Sequence, residues 1–87
     1  MGQSRHIPNR LRKHRRISGY KQSEVAEILG LRSTNRLSRW EKGLSLPSLN
    51  NLFKLSALYK TLVEELYFDV LKETRKEIEQ KFKSKKS

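Results

Sequence analysis

Glycine and proline punctuate the first half of the chain and are absent from its last third, residues 61–87. They cut the first half into segments of roughly ten residues. Proline is tolerated in the first turn of a helix and glycine commonly ends one, so this spacing predicts short helices joined by tight turns. The alternating apolar and polar residues of a half-buried strand do not occur. The pattern therefore predicts an all-α fold. The residues concerned are Pro8, Gly19, Gly30, Gly43 and Pro47.

The segments predict five helices. Their expected bounds are about 8–18, 22–29, 34–42, 48–59, and a long fifth helix from Thr61 into the C-terminal region. Ser33 and Ser48 are suitable caps for the third and fourth helices, and Thr61 with Glu64 forms a capping-box pattern. Gly30 is expected at positive φ, where it lets the chain reverse between the second and third helices.

Apolar residues at helical spacing predict one lean core, as expected for a chain of 87 residues. The second helix offers Val25, Ala26 and Leu29, and the third offers Leu37 and Trp40. The first helix has few apolar residues, mainly Leu11 with Ile7 and Ile17 near its ends. The other residues expected to face the core are Leu49, Leu52, Phe53, Leu55, Ser56, Tyr59, Leu62, Val63, Leu66 and Tyr67. Farther on, Leu71, Ile78 and Phe82 recur at seven and four residues, which predicts a short apolar seam.

The chain is strongly basic, with 20 Lys and Arg against 9 Asp and Glu and a net charge of +11. Residues 1–43 hold 11 basic and 3 acidic groups, so most of the excess lies in the first half. Such a field attracts polyanions, and nucleic acid is the partner that it favours. Charge alone is also compatible with a membrane surface, an acidic protein partner or plain solubility.

Several classes of protein are disfavoured. The chain has no cysteine, which excludes a disulfide scaffold, a thiolate zinc site and a cysteine nucleophile. His6 and His14 have no catalytic or metal-ligating partner at a meaningful spacing, and the acidic cluster of Glu64, Glu65 and Asp69 is expected to be solvated. No Gly-rich phosphate loop occurs. We expect no enzyme activity, no metal and no cofactor. No apolar run is long enough to span a membrane, so an intracellular soluble protein is expected.

The most informative segment is residues 22–47, QSEVAEILGLRSTNRLSRWEKGLSLP. Its spacing of Gln22, Ala26, Gly30, the run SRWEKG and Pro47 resembles the helix-turn-helix domain of the phage repressor and Cro family. The resemblance covers about residues 8–66. It implies a five-helix repressor-like domain with an extended C-terminal helix, and it implies double-stranded DNA as the ligand. It also implies transcriptional regulation in a bacterial, phage or mobile-element cytoplasm.

The resemblance implies a set of DNA-contacting residues on and around the third helix. The burial expected for Leu37 and Trp40 independently leaves amide, hydroxyl and guanidinium groups on the other faces of this helix, and such groups pair with base edges. The residues expected to contact bases are Thr34, Asn35, Arg36 and Arg39. Those expected to contact phosphate are Gln22, Arg32, Ser33, Ser38 and Lys42.

A structural pair and three departures complete the resemblance. Arg15 matches a family arginine that pairs with the glutamate matched by Glu41, and this pair would orient the third helix from the first. The turn before the third helix is one residue longer than usual. Lys21 replaces the usual Ser or Thr cap of the second helix, and Lys60 stands where the family commonly has Gly.

The expected organisation is an N-terminal arm of residues 1–7, a helix-turn-helix DNA-binding domain of residues 8–68 and a C-terminal helical extension with a basic tail, residues 69–87. One recognition helix covers only a few base pairs, so a homodimer on a two-fold symmetric site is expected. The alternative is an antitoxin-like module that binds DNA and holds a protein partner on its C-terminal helix. An RNA-binding role is weaker, because no aromatic stacking platform is evident.

Overall fold

The fold of the chain is entirely helical over the residues that the computed structural model describes, 6–86, with side chains described for 6–83. The predicted all-α class is confirmed. Six helices replace the five that were expected, because the long fifth helix is divided. In chain order they are α1 (Leu11–Ile17), α2 (Gln22–Leu29), α3 (Asn35–Lys42), α4 (Leu49–Tyr59), α5 (Val63–Leu66) and α6 (Phe68–Lys86).

Local hydrogen bonds set where the first helices begin. α1 starts at Leu11, three residues later than expected, because the Asn9 side chain accepts the Leu11 N–H (3.0 Å) and ends the preceding segment. α3 starts after Thr34 and not after Ser33, although the Ser33 hydroxyl still accepts the Asn35 N–H at 3.2 Å. The N-cap position is occupied by Thr34, but the residue that caps the first N–H of α3 is Ser33, one position earlier in the chain.

The division of the expected fifth helix lies at Tyr67, whose backbone is not helical (φ −125°, ψ 38°). The Leu66 carbonyl accepts the backbone N–H of Arg10 at 2.8 Å. The break therefore provides a hydrogen-bond acceptor for the residue that precedes α1. It also allows two adjacent side chains, Leu66 and Tyr67, to be buried together. The expected Thr61 capping box was wrong, since α5 begins after Leu62 without a side-chain cap.

One core joins α1 to α5. It contains Leu11, Val25, Leu29, Leu37, Trp40, Leu55, Tyr59, Leu66 and Tyr67, with Ala26 also buried. Three inward predictions were wrong: Leu49, Phe53 and Leu62 are 65%, 56% and 68% exposed. On α4 the buried stripe runs through Leu55 and Tyr59. Phe53 points away because it is two residues, about 200° around the helix, from Leu55.

Ser48 caps α4 as predicted, with its hydroxyl accepting the Asn51 N–H at 3.2 Å. Gly30 ends α2 at φ +76°, which confirms the expected positive φ. Lys60 ends α4 in the same left-handed region at φ 52°, which L side chains other than Asn and Asp seldom occupy. No helix within residues 6–86 combines the length and apolarity needed to cross a membrane.

Gly43 closes α3 against the segment before α1. Its φ is +77°, and its carbonyl accepts the Ile7 N–H at 2.8 Å. A Cβ atom at this position would overlap the backbone of Ile7. Gly43 therefore meets two separate requirements, a left-handed conformation and a close approach of two backbones.

We expect Gly43→Ala to destabilise the fold more than Gly19→Ala. Both glycines have positive φ, but a Cβ at Gly19 meets nothing within 4 Å. The conformational cost alone is roughly 1–2 kcal/mol per residue, and only Gly43→Ala adds displacement of the Ile7 backbone. Urea denaturation of both variants measures the difference. Equal free energies of unfolding would show that the contact between Ile7 and Gly43 contributes nothing.

Candidate nucleic-acid interface

α3 presents a polar face to solvent because its opposite face is anchored in the core. Leu37 is fully buried and Trp40 is 4% exposed. Asn35 and Arg39 lie one turn apart on the far side of the helix, and both are exposed. The helix therefore holds an amide and a guanidinium group side by side, pointing away from the protein.

The carboxylate of Glu41 fixes the position of α3 relative to α1 and α2. Its side chain is only 3% exposed. Arg15 of α1 donates from Nε to Oε2 at 2.6 Å and from Nη2 to Oε1 at 3.1 Å. Gln22 of α2 donates from Nε2 to Oε1 at 2.9 Å. One buried carboxylate thus receives three hydrogen bonds from two other helices.

The Arg15 guanidinium also organises its surroundings. Its Nη1 donates to the Tyr20 carbonyl at 2.9 Å, which ties the loop between α1 and α2 to the same ion pair. The hydrogen bond to Glu41 raises the pKa of Arg15. Burial, reinforced by the nearby Glu41 charge, raises the pKa of Tyr59. Both shifts keep the Arg15 guanidinium charged and the Tyr59 hydroxyl neutral throughout the physiological range.

Two open grooves flank α3 and contain most of the residues expected at the interface. The first is lined by Arg12, Arg15, Gln22, Ser38, Glu41 and Lys42. The second, at the enlarged turn, is lined by Gly30, Leu31, Arg32, Ser33 and Arg36. The side chains expected to contact phosphate therefore fall into two groups, one on each side of the exposed face. Thr34 is half-buried and lies with Arg32 and Ser33 in a smaller recess.

Gln22 has a structural partner that the sequence did not indicate. Its amide nitrogen bonds to Glu41, while the side chain remains half-exposed on the wall of the first groove. Ser33 similarly combines its exposed position with the bond to the Asn35 N–H. Contact of either residue with a phosphate stays a prediction.

Asn9 is a structural residue that sequence reasoning missed. Its Nδ2 donates to the carbonyls of Trp40 (3.1 Å) and Glu41 (3.3 Å), and also to Ile7 (3.1 Å). The last carbonyls of a helix lack intrahelical partners, so Asn9 satisfies the C-terminal end of α3 while its Oδ1 caps α1. Asn just before a helix is a known cap signal, but nothing local indicates the contact 31 residues away.

A second missed cluster joins α1 to the end of the domain. Glu65 Oε2 lies 3.0 Å from Arg10 Nη1 and 3.0 Å from His14 Nε2. Arg10 Nη2 also lies 3.8 Å from Asp69 Oδ1, and its guanidinium stacks on the Phe68 ring, 4.8 Å from the centroid. Hydrogen bonds from His14 and then Arg10 lower the pKa of Glu65. Glu65 and Asp69 thus pair with α1 and its start, whereas the sequence predicted that they would be solvated.

Residues 6–86 contain no group of three or more side chains that could hold a metal ion. A family model described as helix-turn-helix matches residues 11–66, which is 56 of the 87 residues. This match confirms the resemblance to repressor-type and Cro-type proteins. No curated protein and no solved structure matches the chain.

We expect Arg15→Ala to destabilise the fold by about 3–5 kcal/mol, because it leaves the Glu41 carboxylate buried without its charge partner. The matched control is Arg16→Ala, which removes an exposed arginine from the same helix and should change the free energy of unfolding by less than about 1 kcal/mol. Chemical denaturation measures both. Similar values for the two variants would contradict a structural role for the Arg15–Glu41 pair.

Proposed function

Because the chain belongs to the helix-turn-helix family, we propose that it is a sequence-specific double-stranded DNA-binding protein that regulates transcription, with α3 in the major groove. Members of this family bind DNA through the second helix of the motif, which in this chain is α3. The DNA-binding unit is residues 8–68, and residues 69–87 extend from it. The resemblance to the phage repressor and Cro family favours a cytoplasmic location in a bacterial, phage or mobile-element setting.

The observation that carries this proposal is that α3 has one face fixed in the core and a polar face exposed to solvent. Leu37 and Trp40 anchor the helix in the core, and the Glu41 carboxylate anchors its C-terminal turn. Asn35 and Arg39 on the exposed side have the donors and acceptors that read adenine and guanine in the major groove. A helix that contacts bases must be held rigidly, since its specificity depends on the geometry of the hydrogen bonds that it makes.

The two grooves support an assignment of the other predicted residues to the two strands of the duplex. Lys42, Ser38 and Gln22 border one side of α3 and would contact one phosphate backbone. Arg32 and Ser33 lie in the enlarged turn and would contact the other, with Arg36 and Thr34 reaching base edges from the same side. Contacts to phosphate position the protein, and contacts to bases give it specificity.

We further propose that the working form is a homodimer on a two-fold symmetric site, because one copy of α3 reads too few base pairs to select a single site. An antitoxin-like role, with a second protein bound to α6, is the competing proposal. It is favoured by the exposure of every residue of α6 from Lys72 to Lys83. Purification of the chain with a stoichiometric second protein would support that alternative.

Affinity for duplex DNA should fall steeply with salt. The net charge of +8 in residues 1–43 places several cations near the phosphates, and each contact releases counterions. We expect a loss of roughly tenfold to a thousandfold between about 50 and 200 mM salt. Fluorescence anisotropy of a labelled duplex measures it. A nearly constant affinity would place the DNA contact away from this basic surface.

Replacing Asn35 with Ala should weaken binding to the preferred sequence by roughly 1–3 kcal/mol and relax the preference at one base pair. Lys42→Ala should weaken binding to all sequences by similar factors, because phosphate carries no sequence information. Gln22→Ala is a less suitable test of phosphate contact than Lys42→Ala, since it also removes a hydrogen bond to Glu41.

Selection from a random duplex library, followed by titration of the best site, provides the measurement for both variants. Asn50→Ala is the matched control, because it removes an exposed Asn from α4. A preference profile that is the same for Asn35→Ala and for the unchanged chain would reject Asn35 as a base-reading residue.

A further inference from the structure

α6 carries a heptad pattern on an exposed face. With Phe68 assigned to position a, Leu71 and Ile78 fall at d and Phe82 at a, the positions that form the seam of a coiled coil. Phe68, Ile78 and Phe82 are 43%, 61% and 60% exposed. An open groove along the first part of this face is lined by Glu64, Phe68, Leu71, Lys72, Arg75, Lys76 and Glu79. The seam therefore lies outside the core of the domain.

We propose that this face of α6 packs against α6 of a second copy of the chain, with the two helices antiparallel. The inference rests on the homodimer proposed above and specifies its contact surface and its orientation. The observations that lead to it are the register of the seam and the charges beside it.

The apolar residues, together with the charges beside them, select one register. In an antiparallel pair, position a of one helix packs beside position d of the other. When Phe82 packs against Leu71 of the second copy, Arg75 falls beside Ile78, and symmetry repeats both layers. In this register Phe68 lies opposite residue 85 of the second copy. The two helices, Phe68–Lys86, then overlap along their whole length. A shift by one heptad in one direction would place Phe82 opposite Glu64, which lies before α6. A shift in the other direction would pair Phe82 with Ile78 but would leave Leu71 without a partner and bring the two Glu79 side chains within two residues of the same level.

The flanking charges favour the antiparallel orientation. In this register Lys72 and Glu79 occupy e positions of facing helices and lie within two residues of the same level. Two symmetric ion pairs therefore border the seam. In a parallel pair each residue faces its own copy, so two Arg75 guanidinium groups would meet at position a in the centre of the seam. Like charges this close are repulsive, and the parallel arrangement offers Lys72 no such acidic partner.

Leu71 links this seam to a second apolar surface. It also borders a groove that is lined almost wholly by apolar atoms, with Ile7, Leu46, Pro47, Leu52, Val63, Tyr67 and Val70 as the other residues. In the antiparallel register Phe82 of the second copy comes beside Leu71, at the edge of this groove. The end of one helix would thus cover apolar surface on the body of the other copy.

This pairing would separate the two DNA-binding units. Each body sits at the N-terminal end of its own α6, so the antiparallel arrangement places the bodies at opposite ends of a two-helix rod. A helix of 19 residues is roughly 28 Å long at 1.5 Å per residue. That length is of the same order as one turn of duplex DNA, about 34–36 Å, which separates the two half-sites of a palindrome.

Sedimentation equilibrium of the full chain without DNA, combined with charge reversal, tests the contact. We expect a dimer at tens of micromolar, and an increase in the dimer dissociation constant of roughly tenfold for Glu79→Lys, since two ion pairs become two repulsive contacts. The double variant Lys72→Glu with Glu79→Lys should restore association. Glu77→Lys, the same charge change on the outer side of α6, is the matched control and should leave association unchanged.

Because the chain has no cysteine, a single spin label at Lys83→Cys reports the orientation. In the proposed register, residue 83 of one copy is level with residue 70 of the other. The labels should then lie roughly 20 Å apart along the rod. A parallel pair would place the two labels at the same level, without this separation along the rod, so the distance between them would be shorter. A short distance, a monomer throughout the concentration range, or no rescue by the double reversal would each overturn the inference.

A stoichiometric second protein on α6 would also overturn it and would favour the antitoxin-like alternative. DNA binding is measured separately, by anisotropy with a single half-site, for which one copy of α3 is sufficient. Failure of that binding with a normal dimer would reject the proposed function and leave the pairing intact. Normal half-site binding by a chain that stays monomeric would reject the pairing and leave the proposed function intact.

Discussion

The buried carboxylate of Glu41 is the constraint on which the first three helices depend. A carboxylate with 3% of its side chain exposed cannot remain charged without donors around it. Arg15 and Gln22 supply those donors from α1 and α2. The orientation of α3 is therefore specified by directional hydrogen bonds as well as by apolar packing, which by itself tolerates small rotations. The proposed reading of bases by α3 would benefit from that added precision.

The backbone at the C-terminal end of α3 provides a second anchor. Asn9 donates to its last carbonyls, and Gly43 lets the Ile7 backbone come close enough for a hydrogen bond. These contacts connect the segment before α1 to the end of α3. Both anchors act on the buried side and the C-terminal end of α3, whereas Asn35 and Arg39 lie on its exposed side.

The C-terminal half distributes its charges differently. Glu65 and Asp69 pair with Arg10 and close the domain, whereas the acidic and basic residues farther along α6 lie on an exposed helix. An isolated helix beyond the core has little to stabilise it, because most helical stability in proteins comes from packing of an amphipathic face. Pairing of two such faces would supply that packing and would set the spacing of the two reading helices.

Much of this architecture follows from local sequence. Glycine spacing and apolar periodicity predicted α2 to within its observed bounds, the left-handed end of α2 at Gly30 and the cap of α4 at Ser48. These features depend on φ preferences and short-range hydrogen bonds, which neighbouring residues determine. The motif in residues 22–47 indicated the family, and the resemblance to that family implied the Arg15–Glu41 pair.

Tertiary structure alone decided the rest. The break at Tyr67 occurs in a segment without Gly or Pro, because burial of Leu66 beside Tyr67 and the bond from the Arg10 N–H outweigh local helix propensity. The role of Asn9 depends on carbonyls 31 and 32 residues away. The sequence shows that both Phe53 and Leu55 in α4 are apolar. Only the position of the neighbouring helices determined that Leu55 is buried and Phe53 is exposed. A sequence determines which contacts a residue can make, and the fold determines which partners come within reach.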